Sequence, residues 1–195
     1  MINIYPMISK AAGNILRAYQ DFMRYEGVPE CLHRDLAPEQ QVQAIINLNR
    51  DMMVKDTFSE RGSPNQNPAE ALGVKPLKDG TQTIITRTGC PPEVWPWVAK
   101  YIADVHNHCA HPLLKWKTPI SKQHGYTLDI SAFLNFQFWE KVWFKVDEKY
   151  PNSKEIPGYW AGVSDTVGDA LTYFVYNPET QRFLDMSVIH TADPS

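Results

Sequence analysis

Little in this 195-residue chain marks it for a membrane, for export or for a disulfide framework. Its longest apolar runs fall well short of the roughly 20 residues that cross a bilayer. Met1 is not followed by a basic stretch and a signal-type apolar core, so export is not expected. Cysteine is scarce: Cys31, Cys90 and Cys109 form an odd, scattered set without CxxC spacing, which suits reduced thiols inside a cell. No glycine-rich phosphate loop is present, and no Ser or Cys stands in a paired nucleophile motif. A net charge of -3 lacks the basic excess of a typical nucleic-acid binder. Any DNA contact must therefore come from local basic surface, for which Lys75, Lys78, Arg87, Lys115, Lys117 and Lys122 are the candidates, against the plainer reading of a solvated face.

With 43% hydrophobic residues, the chain can bury a sizeable core as one domain or one plus a small module. Residues 9–26 place Ile15, Leu16, Tyr19, Phe22 and Met23 at helical spacing, and Gly27 supplies a stop. Val28 to Asp35 reads as a short strand beginning after Pro29. Gln41 to Arg50 has the period of a second helix, and Met52 to Phe58 alternates like another strand. After a polar loop, Asn67 can cap a helix with Pro68 at its first position. Glu93 to Asn107 predicts a further helix, with Trp95, Val98, Ile102 and Val105 in the core and Trp97 and Tyr101 widening its apolar face. From about residue 130 the texture changes to short aromatic and β-branched segments joined by turns: Phe133 to Val146, then Gly158 to Val163 after a polar loop at 147–157, Leu171 to Tyr176, and Arg182 to His190. This predicts a small β-barrel or sheet.

Asp35 closes the first strand-like stretch and Glu70 opens the helix after the polar loop, with 34 residues between them. Two acids held by rigid elements at one edge of a sheet can bind a divalent metal. As the third helical residue, Glu70 also suits a capping box, and helix chemistry alone favours that reading. His106, His108, Cys109 and His111 are four candidate zinc ligands in six residues. Only His108 and His111 would share a helical face, and no second ligand pair stands at finger-like spacing, so zinc is not expected. Trp116, Trp139, Trp143 and Trp160 are candidates for stacking on bases, against the more common reading of core aromatics.

Several blocks together resemble the integrase region of copia-type retrotransposon polyproteins. Leu32-His-Arg-Asp35 resembles the segment carrying the second acid of that family's Asp, Asp, Glu triad. Ser63-Pro-Asn-Gln-Asn-Pro-Ala-Glu70 resembles the block that delivers the Glu, with Pro68 and Ala71 in place of the usual Gly and Arg. Ala103 to His108, Pro112 and Lys117-Thr-Pro-Ile through Gly125 resemble the helix and Thr-Pro motif closing the core, and Tyr173 to His190 is similar to the SH3-like module that follows. The resemblance implies a truncated ribonuclease-H-like core over 1–129 and an SH3-like β-barrel over 130–195. It further implies DNA integration, with Asp35 and Glu70 as catalytic and metal-binding residues, Mg2+ or Mn2+ as cofactor, DNA ends and target as partners, a homo-oligomer, and nuclear action after cytoplasmic assembly. The family's first Asp lies upstream of the helix that precedes Asp35, where Met1 to Met7 holds no acid. The expectation is therefore at most weak single-metal binding, and no strand transfer by this chain alone. Two alternatives stand beside it: a non-catalytic, transposon-derived module that binds nucleic acid or protein, and a structural α+β protein in which both acids merely cap turns.

Overall fold

The computed structural model describes residues 1–7, 9–34, 43–60, 69–127, 129–146, 154–164, 167 and 171–192. It is a mixed α+β protein that divides into two compact units, residues 3–78 and residues 1–2 with 79–195.

In the unit of residues 3–78, helix α1 spans Ala12–Glu26 and ends where Gly27 takes φ 91, a conformation that costs glycine little. Strand β1 (Cys31–Arg34) is followed by α2 (Gln43–Asp51) and β2 (Lys55–Phe58). The strands pair in parallel, from Cys31 opposite Lys55 to Arg34 opposite Phe58. A parallel pair needs a crossover, and α2 supplies it. A π-helical turn, Glu70–Val74, then leads into α3 (Lys75–Thr88), whose chain passes from one unit to the other.

In the second unit, a 3-10 turn (Pro92–Val94) precedes α4 (Trp95–His108), followed by the short helices α5 (Pro119–His124) and α6 (Ser131–Leu134). Strands β3 (Lys141–Val146), β4 (Lys154–Val163), β5 (Tyr173–Asn177), β6 (Arg182–Met186) and β7 (Ile189–Thr191) form one antiparallel sheet in the order β6-β5-β4-β3-β7. Among the described residues β6 and β7 remain its two edges, so the sheet is an open row and no barrel closure is seen.

The core of this unit is apolar and aromatic, with Val98, Val142, Phe144, Trp160 and Val175 fully buried. Gly158 faces Val142 across β3 and β4. A Cβ placed there would lie 2.7 Å from Val175 Cγ1 and 2.8 Å from both Phe144 Cε1 and the Tyr176 carbonyl oxygen, so only glycine lets these strands pack as they do. Gly162, at φ 123, sits where the β4 to β5 register shifts between Trp160 and Val163.

Three local expectations need correction. Trp95 is 57% exposed rather than core. The 3-10 turn ahead of α4 turns Val94 inward instead, and Trp95 becomes the helix's first residue. Phe133 to Val146 is not one strand: the short helix α6 runs through Leu134, with Asp129 ahead of it accepting from Ser131 N–H at 2.9 Å, and the strand starts only at Lys141. The polar stretch expected to run as loop to Pro157 joins β4 from Lys154, paired with Val146. By contrast, Asn177 forms the turn after β5 as its type predicts, accepting from Glu179 N–H at 2.9 Å and Thr180 N–H at 3.3 Å.

Candidate metal edge and basic tip

Because β1 and β2 run parallel and in register, their C-terminal ends share one edge of the pair. Pairing persists to that edge, where Ser59 N–H donates to the Arg34 carbonyl at 3.0 Å. Asp35 follows Arg34 directly in sequence and lies outside the described residues, as do Asn67 and Pro68 of the expected helix cap. Glu70 is described: it opens the π-helical turn after the residues that follow β2, in the same unit. Its side chain is 53% exposed, and its carboxylate lies 3.8 Å from Lys78 Nζ. Ala69, at the start of the turn, makes no side-chain cap. Glu70 thus presents a half-exposed carboxylate near a cation.

A polar network lies beside this edge. Arg34, only 6% exposed, donates from Nε to Asp56 Oδ1 at 2.9 Å and from Nη2 to Oδ2, while its guanidinium lies 4.9 Å from the Phe58 ring centroid. Asn49 donates to Asp56 at 3.0 Å, and its own carbonyl accepts from the Tyr19 hydroxyl at 2.7 Å. Burial pushes the Tyr19 pKa up, the Asp56 charge adds to the rise, and Arg34 opposes it, so the hydroxyl stays a donor. On the opposite face of β1, His33 bridges Thr57 Oγ1 and Ser59 Oγ, each at 2.9 Å. Asp56 is therefore committed to holding Arg34 and does not serve as a further metal ligand. Sequence reasoning missed this network. Its signal was a charged pair inside two short strand patterns, His33-Arg34 and Lys55-Asp56, since strand charges that turn inward must find partners.

The six basic candidates are all exposed, but they do not form one set. Lys75 and Lys78 belong to the unit of residues 3–78, whereas Arg87, Lys115, Lys117 and Lys122 belong to the other. Within that second unit the turn at 111–117 stands out. Lys115 (φ 55) and Trp116 (φ 64) occupy successive left-handed conformations, closed by His111 N–H donating to the Lys117 carbonyl at 3.1 Å and Trp116 N–H to the His111 carbonyl at 3.1 Å. Two adjacent non-glycine residues in this region store strain. The result holds Trp116, 72% exposed, between two lysines. The core reading holds for Trp160, which is fully buried, but Trp116 overturns it, because the turn aims its side chain outward. Thr118 caps the following helix, accepting from Ser121 N–H at 3.1 Å, and fixes the base of the tip.

The histidine cluster is arranged differently from a helical projection. α4 ends at His108, and the chain then turns so that the His106 and His111 ring centroids lie 6.5 Å apart. His108 instead packs on Phe133 at 4.8 Å and hydrogen-bonds the Asp104 carbonyl at 2.7 Å. Among the described residues, no three His, Cys, Asp or Glu side chains gather as a metal site. The three cysteines are free, Cys90 buried and Cys31 and Cys109 exposed. No described helix is long and apolar enough to cross a membrane.

No family model matches the chain, and no curated protein matches it. Among solved structures, it is similar to a chain of the simian T-cell lymphotropic virus intasome in complex with PP2A regulatory subunit B56 gamma, at 12% identity and a TM-score of 0.44, over 97% of this chain and 69% of that one.

Proposed function

We propose that this chain carries part of a copia-type integrase and is linked to DNA integration, with Asp35 and Glu70 as ligands for a single Mg2+ or Mn2+ ion. The observation that carries this reading is the parallel β1-α2-β2 unit, with Asp35 next in sequence after β1 and an exposed Glu70 opening the next described helical turn after β2. Parallel units gather ligand groups at the C-terminal ends of their strands. Two metal ions clamp the attacking and leaving oxygens in phosphodiester transfer, and that clamp needs more acid than one Asp and one Glu supply. Asp56 is taken by Arg34. One Asp and one Glu are therefore expected to hold a single metal ion weakly. The barrel closure of the C-terminal sheet, homo-oligomer formation and action in the nucleus belong to the same proposal.

The test is Mn2+ titration of the whole chain, followed by water-proton relaxation, on wild type, Asp35→Asn and Glu70→Gln. One site with a dissociation constant on the order of 1 mM, weakened by both substitutions, is the expected result. Binding that survives both substitutions sinks the metal assignment.

The lysine-flanked Trp116 favours a second reading, a non-catalytic nucleic-acid-binding module. DNA retention that falls steeply with salt and is unchanged in Asp35→Ala would select it. No retention at low salt would sink both DNA readings.

A further inference from the structure

A second concave site lies wholly within the unit of residues 79–195, outside the unit that holds Asp35 and Glu70. It is a cleft of about 550 Å³ walled by the C-terminal part of α3, Tyr101 of α4 and the segment that leads from α6 into β3. Its floor is aromatic. Tyr101 and Phe138 meet at 5.0 Å, and Phe136 is held edge-on against Tyr173 at 5.6 Å and 84°. Rings fixed this way offer a rigid apolar surface with little entropy to lose, which suits a flat ligand with a π-face.

The rim carries one cation, Arg87, exposed in the last turn of α3. A guanidinium there matches a phosphate in both charge and fork geometry. Beside it, Asn135 and Glu140 offer acceptors. Asn135 donates one of its two amide N–H groups to the Tyr173 hydroxyl at 3.0 Å and keeps its carbonyl oxygen for a ligand. Glu140 accepts from Gln137 N–H at 2.8 Å through one oxygen and keeps the other, and the Gln137 side chain stands exposed beside it. A ligand for this cleft needs a planar ring, hydrogen-bond donors on that ring and one anionic group at its end. Inorganic phosphate lacks the ring, and a neutral sugar lacks the anion.

We propose that this cleft binds a nucleotide with an amino-bearing base, free or as an unpaired unit of a strand: the base lies on Phe136 and Tyr101, its amino group donates to Asn135 and Glu140, and the phosphate meets Arg87. This inference requires neither the metal pair nor a duplex, so it stands or falls apart from the integrase reading.

The experiment is calorimetric and NMR titration of the whole chain with AMP, with UMP and ribose 5-phosphate as controls. AMP is expected to bind with a dissociation constant on the order of 1 mM or tighter. UMP should bind several-fold more weakly, ribose 5-phosphate should not bind measurably, and adenine protons should show contacts to the Phe136 ring. Arg87→Glu should weaken AMP about tenfold, as expected for removal of a charge-assisted pair, with an unchanged melting temperature. Gln137→Ala, also on the surface, should weaken it by less. A short oligodeoxyadenylate that binds more tightly than AMP with a steep salt dependence identifies a strand as the source, whereas equal binding identifies the free nucleotide. Absence of AMP binding up to about 5 mM, equal binding of ribose 5-phosphate, or an affinity indifferent to Arg87→Glu overturns the proposal.

Discussion

In the unit of residues 79–195, Val98, Val142, Phe144, Trp160 and Val175 are each 0% exposed and sit in one aromatic and aliphatic cluster. In the unit of residues 3–78, the buried apolar side chains among the described residues are Ile45 and Val54, beside buried Arg34, Asn49 and Ser59. Helix α1 buries no residue, and Tyr25, Val28 and Phe58 are exposed. One unit is stabilised by non-directional apolar burial across a five-stranded sheet, the other by hydrogen bonds and charge across two strands. The first kind of core tolerates changes of pH and salt, because its contacts carry no charge. The second depends on every partner being present, because a buried ion without its counter-charge is costly. A two-stranded sheet is marginal by itself.

The largest expected effect is in the apolar unit. Trp160→Ala should remove about 3–5 kcal/mol from the unfolding of residues 79–195, the range for truncating a large buried aromatic. Denaturant unfolding with amide exchange over β3 to β6 checks it. A loss below about 1 kcal/mol would mean that this cluster does not hold the unit.

Next in size is Asp56→Ala, which removes a two-point carboxylate partner of the buried Arg34 guanidinium and should cost about 3 kcal/mol in the unit of residues 3–78. The comparison sharpens with the double replacement of Arg34→Met and Asp56→Leu, which should recover most of that loss, since an apolar pair has no desolvation to offset. If the double variant is as weak as the single one, charge pairing rather than burial specifies this unit. Amide exchange should also show β1 and β2 opening before β4 and β5 in the wild type.

The contrast explains what could be read from the sequence. Periodic apolar patterns are legible, so α1, α2, α4, β1 and β2 fall within a few residues of their expected places, as does the turn at Asn177. Features that depend on partners distant in sequence are not. The Arg34 to Asp56 pair joins residues 22 apart in the chain. The outward Trp116 needs two left-handed residues that no pattern announces, and the 133–146 aromatic run is split because its start belongs to the short helix α6. The candidate metal edge was legible only to the level of Asp35 after a strand and Glu70 at a helix start. The cleft around Phe136 was not legible at all, because its floor is assembled from three separated segments.

A smaller effect is expected from His106. Its Nδ1 is buried without a hydrogen-bond partner, and its pKa is lowered from 6.5, first by burial and then by the positive charges of the amino terminus and His111. The fold therefore disfavours a proton that the unfolded chain accepts. Stability present above about pH 6.5 should fall as the pH drops through the depressed value, because the unfolded state binds more protons there. Thermal melts of wild type and His106→Gln between about pH 7 and 5 should converge as the solution is acidified. Parallel curves would remove His106 from the account and leave the apolar unit as insensitive to pH as its core suggests.

The smallest effect on stability should come from the basic tip, and that smallness is its diagnostic value. Trp116 is 72% exposed, and Lys115 and Lys117 flank it on the surface, so none of the three adds to the core. Trp116→Gly should leave stability within about 0.5 kcal/mol, because the lost ring contacts little and glycine relieves the φ of 64. If the tip serves nucleic acid, the same substitution should weaken retention of single strands by about 1–3 kcal/mol through lost stacking. Lys115→Ala and Lys117→Ala should each reduce the salt slope by about 1. A large stability loss with unchanged retention would place Trp116 in the folding of its turn instead. The strained backbone would then serve closure of the His111 to Lys117 bridge, and neither unit would have a built nucleic-acid surface at this position.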